Sequence, residues 1–218
     1  MLIDLKLTGK TVLIVGGGKV GERKARKFSE DGSKVITVSK DFTTGLKQLS
    51  KLGGVKLLKV KSTSPSISQL ISKSDIVIAA TDDDRLNEKI AKEAKKKKIM
   101  VCAVDNPKVS DFSLPATTKK GDVQIAIYTE GKSPAMASVL RKKVERMITK
   151  EDVLQVKLQD YTRKIVKKKI DDKNIRRNVL YRVIRDERIK RLLEAGQLNE
   201  AKNIAGQIVL RYRQSRGG

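Results

Sequence analysis

A short glycine run between an apolar segment and a helical one restricts the fold of this chain most. Residues 11–16 (TVLIVG) predict a buried strand, and residues 20–30 predict a helix with an apolar stripe. Between them, Gly16, Gly18 and Gly21 fit the GxGxxG pattern. Gly16 would allow a tight turn, Gly18 would let the backbone approach a pyrophosphate, and Gly21 would let helix and strand pack closely. The pattern predicts a dinucleotide site at the helix N-terminus, with a plain tight turn as the alternative.

Strand-like and helix-like segments alternate through the first 105 residues. Further strands are predicted at 34–39, 55–60, 75–81 and 99–105, and a second helix at 82–98. Short loops join these segments. The alternation predicts an α/β fold with a Rossmann-type, doubly wound parallel sheet.

The alternation of strand-like and helix-like segments ends after Asn106-Pro107. Residues 112–118 and 122–129 predict a strand pair that turns at Lys120-Gly121, and a helix follows from Pro134 to about residue 148 with Ser133 as its N-cap. Beyond residue 150 the apolar residues keep helical spacing. We therefore predict an NAD-binding domain at 1–111, a small α+β segment at 112–148 and an all-helical C-terminal domain at 149–218.

The absence of histidine excludes several kinds of site. With no His and one Cys, Cys102, the chain cannot build a zinc site, a His-based triad or an internal disulfide framework. No apolar run approaches the roughly 18 residues of a membrane span, and the first residues lack the apolar core of a secretion signal. We expect a cytoplasmic protein without membrane partners, whose acid–base chemistry falls to carboxylates, Lys, Tyr, the lone thiol or a cofactor.

The formal net charge of +24 first suggests nucleic acid as a partner. However, the excess is spread over the whole chain, and only 3% of the residues are aromatic, which leaves little surface for base stacking. We expect no nucleic-acid partner. A solvated, Lys-rich surface and a polyanionic ligand both stay open as explanations.

The predicted ends of the second and fourth strands supply candidate cofactor contacts. An NAD site usually has an acid at the end of the second strand; here Ser39 occupies that position, followed by Lys40 and Asp41. Asp41 could hold the ribose, whereas Lys40 would favour a 2′-phosphate; we favour NAD, with a solvent-exposed loop as the alternative. After the fourth strand, Thr81 is the better candidate contact, because the aspartates at 82–84 also suit the capping of a helix.

Asp105 is the carboxylate that we place closest to chemistry. It ends the predicted fifth strand at the same edge of the sheet and precedes Asn106-Pro107. Partial desolvation there would raise its pKa toward a range useful for proton transfer. The alternative is a structural cap of the turn.

These motifs occur together in a recognisable order: GGGKVGERKA (16–25), AATDDDRLN (79–87), VDNP (104–107), DFSLPA (111–116) and TEGKSPAMASVLR (129–141). As a set they resemble the precorrin-2 dehydrogenase / sirohydrochlorin ferrochelatase family, which also forms the N-terminal module of siroheme synthases. The resemblance covers roughly residues 1–148, and the tail is similar only in its helical character.

The resemblance implies NAD-dependent oxidation of precorrin-2 to sirohydrochlorin, with insertion of Fe²⁺ as a further activity of some members. It also implies a homodimer in which the segment 112–148 is exchanged between subunits. The family's acid–base aspartate falls on Asp105. Its cofactor residues fall on Gly18, Lys19, Val20, Ser39, Lys40, Asp41 and Thr81.

The substrate side of the site is assigned to the segment 112–148. A serine that is functional in some members falls on Thr129, while Glu130 and Lys132 replace small residues of the family's pattern. Ser133 lies in the same turn. The substrate carboxylates need cationic partners, for which the candidates are Arg141, Lys142, Lys119 and Lys120, with a solvated charged face as the alternative for each.

Two other functions remain as alternatives. Regulatory NAD-binding modules of potassium-uptake systems also combine a glycine fingerprint with a TDDD-type turn, although they lack segments like VDNP and GKSP. A basic nucleic-acid-binding protein is the third reading. Turnover of precorrin-2 with NAD⁺ would distinguish the dehydrogenase from both of these alternatives.

Overall fold

The computed structural model describes residues 2–61, 64–104 and 106–214, with the backbone alone for residues 213 and 214. The chain divides into two compact units, Met1–Leu114 and Pro115–Gly218, called here the N-terminal and the C-terminal unit. The boundary lies close to the predicted end of the first domain. The further division of the second part at residue 148 stays a prediction.

The N-terminal unit is built on a five-stranded parallel sheet, and the strand order is β3-β2-β1-β4-β5. This order is that of a Rossmann sheet, and it confirms the predicted fold class. The strands are β1 (Thr11–Val15), β2 (Lys34–Ser39), β3 (Val55–Lys59), β4 (Ile76–Ala79) and β5 (Met100–Ala103).

Helices cover both faces of the sheet: α1 (Lys19–Glu30), α2 (Thr44–Lys51), α3 (Ser66–Ser72) and α4 (Asp84–Lys96). The alternation of β1 explains the two layers. Its Leu13 and Val15 join an apolar cluster with residues of α3 and α4, whereas Val12 and Ile14 join a second cluster with residues of α1 and α2. A strand buried on both faces reads as a continuous apolar run, which is the pattern seen in the sequence.

The helices α2 and α3 were not predicted from the sequence. Each is short, and α2 buries Leu46 while α3 buries Ile67 and Ile71. So few buried positions give little helical periodicity. Gly45 in α2 and the serines of α3 also have weak helix propensity, so tertiary packing holds these segments helical.

The C-terminal unit opens with an antiparallel strand pair, β6 (Ala116–Lys120) and β7 (Val123–Ile127), followed by α5 (Pro134–Met147). The strand pair confirms the prediction, but its first strand begins later than the predicted range 112–118. Phe112 and Leu114 pack instead on the apolar cluster of the N-terminal unit, and the strand begins after Pro115. Burial of these two side chains outweighs their β propensity.

The rest of the unit is helical, as predicted, with α6 (Lys150–Lys169), α7 (Lys173–Arg185), α8 (Glu187–Glu194) and α9 (Leu198–Gln214). Their core includes Leu158, Val166, Val183, Ile189 and Leu193, all fully buried. Within the described part of the chain, no helix is both long enough and apolar enough to span a membrane.

Candidate active site

The glycine run forms a tight turn that is packed against its neighbours. Gly16 has φ +129°, and a Cβ added there would stand 2.1 Å from the Ala80 carbonyl oxygen. A Cβ on Gly17 would stand 2.0 Å from the Asp41 carbonyl oxygen. The turn therefore touches both the segment after β4 and the segment after β2, and side chains at Gly16 and Gly17 are excluded.

Gly18 differs from the glycines before it, because a Cβ there would meet nothing within 4 Å. It is the N-cap of α1 without a side-chain cap, and the first bond of the helix runs from the Glu22 N–H to the Gly18 oxygen at 2.9 Å. The N–H groups of Lys19, Val20 and Gly21 precede that bond, where an α-helix offers them no acceptor. Open space beside these donors fits a pyrophosphate group.

The close approach assigned to Gly21 is present. A Cβ on Gly21 would stand 2.1 Å from the Gly16 carbonyl oxygen. The residue is buried, so α1 begins directly against the turn that follows β1. The tight turn at Gly16 and the close approach at Gly21 are therefore present in the backbone, whereas the pyrophosphate contact at Gly18 stays a prediction.

The end of β2 places Ser39, Lys40 and Asp41 beside the glycine turn. The Ser39 Oγ lies 2.8 Å from the Cβ position of Gly17. Lys40 is exposed, and the Asp41 side chain is 92% exposed, with one oxygen 3.8 Å from the Lys59 Nζ. An ion pair this exposed contributes little to stability, which leaves the Asp41 carboxylate accessible to a ligand.

Hydrogen bonds that the sequence does not predict join α1 to the start of α2. The Thr43 hydroxyl donates to the Glu22 carboxylate at 2.7 Å, and the Thr43 N–H donates to the Gly17 carbonyl oxygen at 3.1 Å. A Cβ on Gly45 would stand 1.9 Å from Glu22 Oε1. Thr43 also caps α2 by accepting from the Leu46 N–H. The glycine turn is thus fixed from the α2 side as well.

The loop after β4 is held by a buried side chain, Asn87, that the sequence motifs do not mark. Asn87, 2% exposed, bonds to both backbone groups of Thr81. Asp83 caps α4 by accepting from the Leu86 N–H at 3.1 Å, so the capping role considered for the aspartates is present. The Asn87 position could have been noticed, because it shares the helical face of Ile90, Ala91 and Ala94.

The end of β5 lies next to the end of β4, because the Val104 N–H donates to the Ala79 oxygen at 2.9 Å. The following turn is tied by Ser110, whose hydroxyl accepts from the Ala103 N–H and bonds to the Asn106 oxygen at 2.9 Å. Asp105, predicted as the acid–base residue, lies outside the described residues. Its neighbours Val104 and Asn106 stand at the carboxyl edge of the sheet, where parallel α/β sheets bind their ligands.

The residues assigned to the substrate belong to the C-terminal unit. The Thr129 hydroxyl donates to the Ser133 oxygen at 3.0 Å, and the Ser133 hydroxyl caps α5 by accepting from the Met136 N–H. Arg141 pairs with Glu145 at 2.7 Å, and Lys120 donates to the Ile148 carbonyl oxygen. A cavity of about 350 Å³ is lined by Lys120, Lys142, Glu145 and Arg146. These hydroxyls organise the turn before α5, and of the four candidate cations Lys120 and Lys142 line the cavity.

Comparison with known proteins finds matches both to the N-terminal unit and to the segment that contains β7 and α5. A family model for NAD(P)-binding domains matches residues 3–116, and a model for the central part of sirohaem biosynthesis proteins matches residues 120–147. Precorrin-2 dehydrogenase of Methanosarcina barkeri is 34% identical over 188 residues, covering 85% of this chain and 83% of the relative.

Two further matches define the extent of the similarity. Siroheme synthase 3 of Aeromonas hydrophila subsp. hydrophila is 28% identical over 215 residues, which is 99% of this chain but 45% of that protein. The chain thus spans less than half of that synthase. The solved structure of SirC, a precorrin-2 dehydrogenase, matches with a TM-score of 0.73 at 18% identity over 95% of this chain and 99% of that chain, which shows a shared fold. The glycine turn lies at the carboxyl edge of a Rossmann sheet, and the family models and relatives match the chain on both sides of residue 116. The chain therefore belongs to the precorrin-2 dehydrogenase family.

Proposed function

We propose that this protein catalyses the NAD-dependent dehydrogenation of precorrin-2 to sirohydrochlorin. The observation that carries the proposal is the open space at Gly18 in front of the free N–H groups of α1. It is a dinucleotide cradle in a chain that is 34% identical to a precorrin-2 dehydrogenase over 85% of its length. The ends of β4 and β5 adjoin this cradle, so a substrate can meet the cofactor at one edge of the sheet.

The cofactor contacts follow from this geometry. The N–H groups of Lys19 and Val20 at the start of α1 would bind the pyrophosphate, and Gly18 leaves it room. The exposed Asp41 carboxylate would accept hydrogen bonds from ribose hydroxyls, with Ser39 and Lys40 beside it. NAD⁺, when bound, supplies the hydride acceptor.

Dehydrogenation removes a hydride and a proton from the substrate, and the chain must provide the base. Asp105 is the proposed base, because it directly follows Val104 at the edge where β4 and β5 meet. It would accept the proton that leaves the tetrapyrrole as the C–H bond opposite the nicotinamide gives up its hydride. The Ser110 hydroxyl bonds to the carbonyl oxygens of Ala103 and Asn106, which are described residues near Asp105 in the chain.

The tetrapyrrole carries eight carboxylates, which need cationic partners. Lys120 and Lys142 line the cavity in the C-terminal unit, and the exposed Lys119 belongs to the same strand pair. Arg141 is already paired with Glu145, so it would bind a carboxylate only as part of that pair. We assign Thr129 and Ser133 a supporting role, because their hydroxyls shape the turn that begins α5.

A homodimer is part of the proposal. The exposed side of α5 carries Met136, Val139, Leu140 and Met147, which are between 37% and 69% exposed. Tyr128, directly after β7, is 46% exposed. A two-stranded sheet with an apolar helix face is marginal alone. A second copy of this segment would cover the face, in agreement with the exchange implied by the family.

Insertion of Fe²⁺ into sirohydrochlorin is the second proposed activity, with the metal as substrate. It rests on the relatives named siroheme synthase, one of which matches 99% of this chain. The described residues hold no cluster of three or more His, Cys, Asp or Glu side chains able to form a resident metal site. We assign Asp105 the role of accepting the protons that leave the pyrrole nitrogens as Fe²⁺ enters. We place both reactions in the cytoplasm, where the reducing conditions suit the single, buried Cys102.

The decisive experiment is turnover of precorrin-2 with NAD⁺, followed by the sirohydrochlorin spectrum and by NADH formation. We expect equal amounts of both products. A folded protein that binds NAD⁺ but forms neither product would overturn the proposal and favour the regulatory alternative. Fe²⁺ insertion is measured separately with sirohydrochlorin, after subtraction of the spontaneous rate.

A further inference from the structure

We propose that Asn87 is a positioning residue for the dinucleotide, which fixes the Thr81 segment against the glycine turn before the cofactor binds. The inference rests on the proposed use of this edge for NAD⁺. It does not require that precorrin-2 be the substrate, because cofactor binding alone tests it.

The Asn87 amide engages Thr81 with both of its ends. Its Oδ1 accepts from the Thr81 N–H at 3.0 Å and from the Thr81 hydroxyl at 2.7 Å, and its Nδ2 donates to the Thr81 carbonyl oxygen at 3.0 Å. Since both backbone groups of one residue are bound, the amide replaces the strand partner that Thr81 loses beyond the end of β4. Asn87 is 2% exposed, so water cannot take its place at low cost.

The same bonds change the expected role of Thr81. Its hydroxyl donates toward Asn87, and it accepts from the Asp83 N–H at 3.3 Å. The hydroxyl is therefore occupied within the loop rather than presented to a ligand. Thr81 affects cofactor binding through its backbone position, and Asn87 controls that position.

The position of Thr81 matters because its segment touches the glycine turn. A Cβ on Gly16 would stand 2.1 Å from the Ala80 oxygen and 3.1 Å from the Thr81 nitrogen. Gly16 therefore lies in close contact with Ala80 and Thr81. A displacement of Thr81 is consequently passed to Gly16, and from there to the phosphate-binding start of α1.

The alternative is that Asn87 only stabilises the fold, and a matched variant separates the two roles. Ser74 is also a nearly buried polar residue, 8% exposed, and its hydroxyl donates to the Leu70 oxygen at 2.7 Å. It precedes β4, whereas Thr81 follows it, so Ser74 lies at the opposite edge of the same sheet. Ser74→Ala removes a buried hydrogen bond without touching the cofactor edge.

The experiment measures the Kd of NADH by fluorescence and the melting temperature for the full-length chain. The variants are Asn87→Ala, Asn87→Asp, Thr81→Val, the double variant Thr81→Val/Asn87→Ala, and Ser74→Ala. We expect Asn87→Ala to raise the Kd about tenfold, as the loss of one to two net hydrogen bonds implies. Asn87→Asp, which lacks the donor to the Thr81 carbonyl, should also raise the Kd. Ser74→Ala should lower the melting temperature and leave the Kd unchanged.

The double variant decides how Thr81 acts. If Asn87 acts through Thr81, the double variant has the Kd of Asn87→Ala rather than the product of the two single effects. Multiplying effects in the double variant would mean that Thr81 contacts the cofactor independently of Asn87, and would overturn the proposal. A lowered melting temperature with an unchanged Kd in Asn87→Ala would reduce Asn87 to a structural residue.

Where precorrin-2 turnover is measurable, we expect the Asn87→Ala protein to have a raised KM for NAD⁺ with kcat nearly retained. Normal cofactor binding without turnover would instead count against the proposed function alone.

Discussion

The Cβ position of Gly21 lies 2.1 Å from the carbonyl oxygen of Gly16, which no side chain can tolerate. Gly21→Ala must therefore push the start of α1 away from the turn after β1. We expect a loss of about 1–3 kcal/mol in the free energy of unfolding, typical of overpacking, together with weaker NADH binding. Chemical denaturation and a fluorescence titration measure the two effects.

Gly206 provides the matched control, because it lies inside α9 with nothing within 4 Å of its Cβ position. Gly206→Ala should raise the stability by about 0.5–1 kcal/mol through helix propensity alone. Equal stability of the Gly21→Ala protein and the wild type would contradict the close approach on which the fingerprint depends.

At Gly18 we expect weaker cofactor binding with little change in stability. A Cβ there meets no protein atom, so Gly18→Ala should leave the melting temperature nearly unchanged. It would, however, project into the space assigned to the pyrophosphate, and NADH affinity should fall by at least about tenfold. Unaltered affinity in this variant would show that the phosphates lie elsewhere.

The glycine turn, the sheet and the helical tail could be predicted because each leaves a dense local signal. The buried run of β1 and the spacing Gly16, Gly18, Gly21 are properties of adjacent residues. The helix α2 was missed because only Leu46 in it is buried, too little to show a period. Local patterns therefore gave the framework but not the elements that packing alone holds in place.

The candidate site was predicted less completely, because its geometry depends on residues far apart in sequence. The sequence indicated Thr81 but not that its hydroxyl is used by Asn87. Likewise, the contact of Thr43 with Glu22 joins two helices that no local pattern links. The roles of Ser39, Lys40 and Asp41 at the ribose and of Asp105 as the base stay predictions.

Replacement of Asp105 by Asn removes the proposed base with almost no change of volume. We expect turnover of precorrin-2 to fall by at least about 10²-fold, the usual contribution of general-base catalysis. NADH affinity and the melting temperature should remain near wild type. The control is Asp75→Asn, which makes the same change at the opposite edge of the sheet. There Asp75 accepts from the Thr11 N–H at the amino end of the strands. Substantial turnover by the Asp105→Asn protein would remove this residue from the mechanism.

The proposed dimer predicts that a charge on the exposed face of α5 separates the subunits. Val139 is 56% exposed, and a buried glutamate at a subunit interface would be strongly unfavourable. Light scattering coupled to size exclusion should give a dimer for the wild type and a monomer for Val139→Glu. Val156→Glu, at a 40% exposed position of α6, is the control and should remain dimeric. A monomeric wild type would overturn the proposed assembly.

The start of α8 should make stability depend on pH in the acidic range. The Arg188 side chain, together with the N–H groups of Ile189 and Arg188, holds the pKa of Asp186 below its ordinary value. The charged form is therefore favoured in the folded state. Its contribution is present above the unfolded pKa of about 3.9 and is lost as the pH falls through the lower, folded value.

Two substitutions separate the charge from the capping role, since Asp186 also accepts from the Arg188 N–H at 3.0 Å as the N-cap. Asp186→Asn keeps a capping side chain but cannot titrate, whereas Asp186→Ala should cost about 0.5–2 kcal/mol at neutral pH. Urea denaturation between pH 3 and pH 7 should show the wild type and Asp186→Asn converging below about pH 4, as the wild-type carboxylate becomes protonated. General acid destabilisation affects both proteins and cancels in the difference. If the free energies of unfolding of the two proteins differ by a constant amount down to pH 3, the Asp186 charge contributes nothing to the stability of the folded state.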